Sequence, residues 1–178
     1  IAYDAKVQYP AVCNAVETLL VHESVADEFL PAVAERYREA GVELRGDERT
    51  REVIDAEAAT AEDWDTEYGD LILAIRVVDS LTDAVRHVTT HGSKHTESIV
   101  TEDADRAARF MRGPDSASVF HNGKIHARGP VGLTGLTTYK YYLEGSGQGV
   151  GTYAGEDARP FTHVDFDGEW SPGRLSRE

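Results

Sequence analysis

A single cysteine, Cys13, is the only thiol in the sequence, so the chain cannot form an internal disulfide. No apolar run is long enough to cross a membrane, and the first residues lack the basic start and the small-residue cleavage site of a secretory signal. These absences predict a cytoplasmic protein in a reducing compartment. The length of 178 residues fits one domain, or one domain with an appendage.

Basic residues are also scarce. The sequence has 18 lysines and arginines against 32 aspartates and glutamates, for a formal net charge of -14, and only four of the bases are lysines. A field of this sign predicts that the chain binds neither nucleic acid nor an anionic membrane surface. Adaptation to high salt is one explanation of such a surface, and a solvated acidic face in an ordinary cytoplasm is the other.

Several motifs of well-defined chemistry are missing. The sequence contains no GxGxxG after a strand, no P-loop, no HExxH and no cysteine cluster. It therefore carries neither a dinucleotide-binding fingerprint nor a metal site.

What the sequence does contain is an alternation of strand and helix patterns. A nearly continuous apolar run, "LILAIRVV", predicts a strand covered on both faces, and Ser24 and Ser80 are predicted to cap the helices that follow two of the strands. The pattern predicts an α/β fold with a mostly parallel sheet between helices. The predicted strands are 17–22, 42–44, 71–78, 97–101 and 116–122, and the predicted helices are 24–41, 48–54, 80–91 and 103–112.

The texture changes at Gly123, and from there to Gly155 nine glycines separate short β-prone pieces. One of these, 137–144, is predicted to be a strand outside the main sheet. We therefore divide the sequence into an α/β domain (1–122), a glycine-rich β segment (123–150) and an irregular acidic tail (151–178).

Cys13 stands in "YPAVCNA", among small neighbours and just after a proline. One interpretation is a small buried hydrophobe, because a free cysteine packs well and is often inert. The other is an exposed nucleophile at the mouth of a cleft, held as thiolate by backbone N–H groups or a cation. Local composition does not decide between them.

A second candidate is "HGSKHTES" (91–98), which places Ser93, Lys94 and His95 in a turn between a helix and a strand. These side chains could donate to an anionic substrate group. A polar connection explains them equally well, because ligands of open α/β sheets usually bind outside the carboxyl ends of the strands.

Two further segments are ambiguous. "TEYGD" (66–70), which contains Glu67, precedes the apolar strand and could hydrogen-bond a ribose hydroxyl or simply form a turn. "KIHARGPVGL" (124–133), which contains Arg128, could bind phosphate or mark a hinge into the glycine-rich segment.

Taken in order, five stretches resemble one known family, and the order agrees from residue 6 to about residue 148. The block from Val78 to Ile99, with its histidines in step, is similar to that family's signature. The sequence resembles the C-terminal catalytic half of gamma-glutamyl phosphate reductase, also called glutamate-5-semialdehyde dehydrogenase, of the aldehyde dehydrogenase superfamily. The stretches are "CNAVETLLVHE", "TEYGDLILAIRVVDS", "AVRHVTTHGSKHTESIVTED", "DSASVFHN" and "KIHARGPVGLTGLTTYKY".

The resemblance implies an aldehyde-dehydrogenase-like catalytic domain in which Cys13 is the nucleophile. Its thiolate would attack the acyl carbon of L-glutamyl 5-phosphate, expel phosphate and form a thioester, which NADPH would reduce to L-glutamate 5-semialdehyde for proline biosynthesis. The backbone N–H of Cys13 would stabilise the oxyanion together with a side chain upstream of this chain. The predicted substrate-binding residues are Asn14, Ser93, Lys94, His95, Asn122 and Arg128, and the predicted cofactor-binding residue is Glu67.

The sequence also departs from the family. The nucleotide-binding domain is absent, so an alternative is a catalytic and oligomerisation fragment without activity of its own. A glycine-rich loop that the family carries after Asn122 is missing, and Glu67 aligns one place out of register. The segment from Lys124 to Gln148 resembles a β-structure at a subunit interface, which implies a homo-oligomer. The resemblance is expected to end near residue 150. A third reading is an unrelated acidic binding module with a buried structural thiol.

Overall fold

The computed structural model describes residues 1–123 and three short strands beyond them, at 141–144, 162–164 and 170–172. The chain forms two compact units, Ile1–Gly147 and Gln148–Glu178. In the second unit, β8 (Thr162–Val164) pairs with β9 (Trp170–Pro172) in antiparallel orientation. This short pairing lies in the segment that the sequence predicted to be irregular.

The described strands of the first unit form two sheets, and every strand pair in them is parallel. The four-stranded sheet has the order β1-β4-β2-β3 and the three-stranded sheet has the order β5-β6-β7. The strands are β1 (Thr18–His22), β2 (Glu43–Gly46), β3 (Glu57–Ala58), β4 (Ile72–Val78), β5 (Thr96–Ile99), β6 (Ser118–His121) and β7 (Tyr141–Glu144).

Helices connect the strands. They are α1 (Ala2–Val7), α2 (Glu23–Glu39), α3 (Glu48–Val53), α4 (Leu81–His91) and α5 (Ala104–Arg112), with a one-turn 3-10 helix at Glu62–Asp65. The α/β class and the parallel pairing confirm the prediction. The strand expected at 137–144 is present at 141–144, and 137–140 lies outside the described residues.

The main core forms between α2 and the inner strand β4. Leu30 and Tyr37 of α2 are seven residues apart and therefore lie on the same face of the helix. They pack in the same buried cluster as Leu73 and Ile75 of β4, and all four are fully buried. A fully buried side chain of this kind contributes roughly 1.5–3 kcal/mol of transfer free energy. β4 is an inner strand, between β1 and β2. Inner strands of parallel sheets are usually covered on both faces, which explains why its sequence is apolar almost throughout.

The predicted caps have different outcomes. Ser80 is the N-cap of α4, where its hydroxyl accepts a hydrogen bond from the Asp83 N–H at 3.1 Å. The prediction that Ser24 caps α2 is wrong, because His22 is the N-cap and its Nδ1 accepts from the Ser24 N–H at 3.2 Å. Since β1 runs directly into α2, the last strand residue already has the extended backbone that an N-cap requires.

The prediction of one main sheet also differs from the structure. The strands β5 and β6 pair with each other and with β7, and not with the four-stranded sheet. In the first unit, three short elements were not predicted: α1, β3 and the 3-10 helix. No helix in the described part of the chain is long and apolar enough to span a bilayer.

Candidate active site

Cys13 lies in the loop that joins α1 to β1. Two backbone turns flank it, in which Val12 N–H donates to the Tyr9 carbonyl at 3.3 Å and Ala15 N–H donates to the Val12 carbonyl at 2.9 Å. The Cys13 side chain is exposed, so the interpretation as a buried core residue is wrong. Its neighbours Tyr9 and Val12 are 52% and 37% exposed, so the tip of the loop faces solvent.

The base of this loop is closed by a buried ion pair. The Lys6 ammonium of α1 lies 2.7 Å from Glu17 Oε2, and the Lys6 side chain is 0% exposed. Glu17 Oε1 also accepts a hydrogen bond from the Gly69 N–H at 3.2 Å. Glu17 thus joins the loop of Cys13 to the segment 66–70, which contains the exposed Glu67.

Both segments lie at the same edge of the four-stranded sheet. Glu17 directly precedes β1 and Gly69 shortly precedes β4, and these strands are parallel, with Thr18 opposite Ala74. The candidate nucleophile and the candidate cofactor-binding residue are therefore both at the amino-end edge. This is the edge opposite to the one at which open α/β sheets usually bind ligands.

A second contact brings the third predicted segment to this edge. His91 at the end of α4 donates from Nδ1 to Asp65 Oδ1 at 2.8 Å, two residues before Glu67. Ser93, Lys94 and His95 follow directly and are exposed. The structure thus links the loop of Cys13, the segment of Glu67 and the turn 92–95 through two side-chain contacts.

The turn 92–95 is anchored by its backbone. The carbonyls of Lys94 and His95 accept hydrogen bonds from the N–H groups of Ala117 and Ser118 at 2.9 and 3.0 Å. The Lys94 backbone has a left-handed φ of 62°, and its ammonium is 3.7 Å from the exposed Asp115 carboxylate. The His95 Nδ1 is hydrogen-bonded to Thr96 Oγ1 at 2.7 Å. Both side chains remain accessible to a ligand.

Glu97 is a half-buried acid next to this turn that sequence reasoning did not select. Burial raises the pKa of its carboxyl to about 7, against which a hydrogen bond from Ser116 Oγ at 3.2 Å acts weakly. Glu97 and Ile99 are two residues apart on β5 and therefore lie on the same face of the strand. Ile99 packs against a second core cluster, formed by Phe110, Met111 and Val119. This two-residue periodicity was the sequence signal that Glu97 faces inward.

His87 is the other titratable group that was not selected, although it belongs to the signature-like block. It is 6% exposed, and its ring meets Trp64 edge-to-face with centroids 5.4 Å apart. Arg76 donates to its Nδ1 at 3.1 Å, and its Nε2 has no hydrogen-bond partner among the described residues. Burial, followed by the nearby charges of His91 and Arg76, lowers its pKa to about 4.

Comparison with known proteins decides the family. A gamma-glutamyl phosphate reductase of Natronomonas pharaonis is 67% identical over 97% of this chain, and one of Haloquadratum walsbyi is 60% identical over 96%. The crystal structure of gamma-glutamyl phosphate reductase from Thermotoga maritima superposes with a TM-score of 0.71 at 44% identity, over 79% of this chain. The chain belongs to the gamma-glutamyl phosphate reductase family. No protein-family model matches it.

The fold is that of the aldehyde dehydrogenases. Aldehyde dehydrogenase 21 of Physcomitrella patens matches 71% of this chain with a TM-score of 0.52 at 13% identity, which is evidence of the fold alone. The predicted fold class is confirmed. The chain spans 44% of the length of the two archaeal gamma-glutamyl phosphate reductases and 39% of the Thermotoga chain.

The alignment with the Natronomonas gamma-glutamyl phosphate reductase bears on two expectations. It leaves 3% of this chain unaligned, about five residues, so the expectation that the resemblance ends near residue 150 is wrong. It also runs over 195 positions, whereas 97% of 178 residues is about 173. The relative thus has about 22 positions without a counterpart here, and their placement after Asn122 stays a prediction.

Of the remaining predicted site residues, Asn122 lies away from the amino-end edge. Asn122 follows β6, at the end of the three-stranded sheet opposite to the turn 92–95. Its amide donates to the Thr101 carbonyl at 2.8 Å and accepts from the Thr101 N–H at 2.9 Å, which joins two loops. Asn14 is half-buried beside Cys13, and Arg128 lies outside the described residues.

A cavity of about 600 Å³ opens elsewhere, along β2 and β3. Its lining includes Arg45, which is paired with Glu43 and Asp63 at 2.7 Å each. None of the predicted site residues lines it. Among the described residues, no group of three or more histidine, cysteine or acidic side chains could hold a metal ion.

Proposed function

We propose that the protein containing this chain reduces L-glutamyl 5-phosphate to L-glutamate 5-semialdehyde and releases phosphate, a step of proline biosynthesis. The observation that supports this most is the 67% identity to a protein named gamma-glutamyl phosphate reductase. The exposed Cys13 thiol lies in a loop that contacts link to the segment 66–70 and, through it, to the turn 92–95, which agrees with this proposal. The catalytic residue is Cys13.

In the proposed reaction, the Cys13 thiolate attacks the acyl carbon and the bond to the phosphate oxygen breaks. Phosphate leaves with the bonding electrons, and a thioester on Cys13 remains. NADPH, whose ribose Glu67 would hold, would supply a hydride to the thioester carbon, and Cys13 would then leave as the thiolate as the semialdehyde forms. The backbone N–H of Cys13 donates to the oxyanion during both steps.

The turn 92–95 receives the substrate in this proposal. Ser93, Lys94 and His95 are exposed donors, and among the described residues Lys94 is paired with the exposed Asp115 carboxylate at 3.7 Å. They are suited to the phosphate or carboxylate groups of an acyl phosphate. Glu67 lies on an exposed loop fixed at Gly69, where its carboxylate can accept hydrogen bonds from ribose hydroxyls.

The test is Cys13→Ser in the full-length protein. We expect the reverse reaction, from glutamate 5-semialdehyde, phosphate and NADP⁺, to slow by at least about 10³-fold, because a serine hydroxyl is a much weaker nucleophile than a thiolate. Alkylation of the wild-type protein should cause the same loss and should be slowed by substrate. Normal turnover in Cys13→Ser would disprove the thioester mechanism.

A second proposal concerns the chain by itself. Because it spans less than half the length of its relatives, we propose that it has no activity alone and that the rest of the protein supplies the nucleotide-binding residues. The same assay on the 178-residue chain tests this. Detectable turnover would contradict it.

We also propose a homo-oligomer formed through the segment 123–150. Its strand β7 lies at the edge of a three-stranded sheet, and an edge strand offers unpaired backbone groups to a second chain. Sedimentation of the chain should show a species larger than the 19.5 kDa monomer. A monomer at all concentrations would contradict the proposal.

A further inference from the structure

The buried ion pair at the base of the Cys13 loop is unusual for its place in the fold. Lys6 is fully buried and Glu17 is 18% exposed, so two charges have been removed from most of their water. A buried pair is rarely more stabilising than apolar side chains of the same volume. A role in positioning the loop would explain why charges occupy this place.

Glu17 connects three separate segments of the chain. Its Oε2 contacts Lys6 of α1 at 2.7 Å, and its Oε1 accepts from the Gly69 N–H in the segment 66–70. Its backbone carbonyl accepts from the Ala74 N–H of β4 at 3.0 Å. The carboxylate therefore fixes the distance between the base of the Cys13 loop and the segment of Glu67.

The loop itself depends on this base. A backbone hydrogen bond from Val16 N–H to the Ala5 carbonyl at 3.0 Å lies next to the ion pair, and both interactions bring the ends of the loop together. The tip, where Val12 and Cys13 are exposed, contains the two backbone turns that start at Tyr9 and Val12. The position of the sulfur therefore depends on the closure of the loop ends as well as on these turns.

We propose that Lys6 and Glu17 are positioning residues, which hold the Cys13 loop and the segment 66–70 in one arrangement for reaction. The proposal rests on the proposed function of Cys13. A displacement of a nucleophile by about 1 Å can slow a reaction about 10²-fold without a large change in substrate binding. Loss of the pair should therefore reduce kcat far more than it changes KM.

The main test is the double variant Lys6→Met/Glu17→Met in the full-length protein. Methionine keeps much of the volume and removes both charges, so the fold should persist. We expect kcat to fall about 100-fold, with KM changed less than about threefold. In the 178-residue chain, hydrogen exchange at the Ala15 and Val16 amides should accelerate at least tenfold, although their acceptors are backbone carbonyls that the substitutions leave intact.

Arg49→Met is the matched control. Arg49 pairs with Glu23 and Asp79, which follow β1 and β4 at the opposite edge of the same sheet. The Arg49→Met substitution should leave kcat and the hydrogen exchange at the Ala15 and Val16 amides unchanged. If the double variant does not fold, Lys6→Met/Glu17→Gln replaces it, since the amide retains an acceptor for Gly69 and no buried charge is left unpaired. This variant should reduce kcat about tenfold.

Two results would overturn the proposal: a folded double variant with kcat within twofold of wild type, or unchanged exchange at Ala15 and Val16. If Cys13→Ser is inactive in the same assay, either result refutes the positioning role alone. If Cys13→Ser is fully active, the proposed function is refuted, and the exchange rates then decide whether the pair orders the loop.

Discussion

Two titratable side chains near the candidate site respond to pH in opposite directions. The pKa of His87 is lowered to about 4 by burial and neighbouring cations, so the folded state favours its neutral form. The pKa of Glu97 is raised to about 7 by burial, so the folded state favours its protonated form. Because the two pKa values move from the ordinary 6.5 and 4.5 in opposite directions, each group makes the stability depend on pH.

The signs follow from proton counts. Between pH 4 and 6.5 the unfolded chain binds a proton at His87 that the folded chain does not, so stability from this group is lost as pH falls. Between pH 4.5 and 7 the folded chain holds a proton at Glu97 that the unfolded chain has released, so stability is lost as pH rises. From pH 4.5 to 6.5 the two effects nearly cancel.

Single substitutions should separate the two effects. In Glu97→Gln, the free energy of unfolding should decrease as pH is lowered from 6.5 towards 4.5, because only His87 still titrates in this window. In His87→Leu, it should decrease as pH is raised from 4.5 to 7. Urea unfolding at half-unit steps of pH measures both slopes, and absolute stability is compared only within each variant. Two variants that both follow the wild-type pH profile would contradict the assignment.

Helix ends show how far local sequence predicts structure. The bounds predicted for α4, with Ser80 as its cap and residue 91 as its last residue, are those of the structure, because cap chemistry depends on residues within one turn. Ser24 was wrongly predicted as a cap. The prediction assumed a short connection between β1 and α2, but the helix begins at Glu23, directly after the strand. The position of α1 was not predictable from its six residues, which pack through Tyr3 against Tyr37 of α2.

The two serines give a matched test of capping. Ser80→Ala removes the acceptor for the Asp83 N–H and should reduce the free energy of unfolding by about 1 kcal/mol. Ser24→Ala should change it by less than about 0.5 kcal/mol, since alanine favours the helix interior and His22 remains as the cap. Denaturant unfolding of both variants measures the difference. Equal losses would mean that Ser24 is the cap after all.

Gly92 is required at the end of α4 for steric reasons. A Cβ there would lie 2.5 Å from the Val88 carbonyl oxygen and 2.9 Å from Glu97 Oε1. The backbone oxygen cannot move without opening the last turn of the helix. We therefore expect Gly92→Ala to destabilise the fold by about 1–3 kcal/mol, measured by thermal or denaturant unfolding. The neighbouring exposed Ser93→Ala is the control and should have almost no effect; an equally small effect of Gly92→Ala would contradict the contact.

On the scale of the whole molecule, the long-range contacts were beyond prediction. Periodicity identified β4 and the α/β class, but nothing local indicates that Glu17 meets Gly69, 52 residues away, or that His91 meets Asp65, 26 residues away. The family resemblance had assigned roles in one reaction to the Cys13 loop, the segment 66–70 and the turn 92–95, although it did not predict these contacts. Asn122 lies elsewhere, with its amide hydrogen-bonded to Thr101 at the far end of β6, and its role in substrate binding stays a prediction.

The net charge of -14 also acts on the whole molecule. Like charges repel more strongly in the compact state than in the unfolded chain, and salt screens this repulsion over distances of about 10 Å at 0.1 M. The few exposed ion pairs, such as Arg49 with Glu23, are weakened by the same screening but each contributes little. Screening of the net repulsion should therefore dominate.

We expect the melting temperature to rise as potassium chloride is increased towards molar concentrations. A gain of about 2 kcal/mol would raise it by roughly 4–8 °C for a chain of this size. A variant with four exposed α2 acids neutralised, Asp27→Asn, Glu28→Gln, Glu35→Gln and Glu39→Gln, should show a smaller rise, because less repulsion remains to be screened. A melting temperature that falls with salt in the wild-type chain would exclude adaptation to high salt. An equal rise in both proteins would attribute the effect to salt-strengthened apolar burial and not to charge.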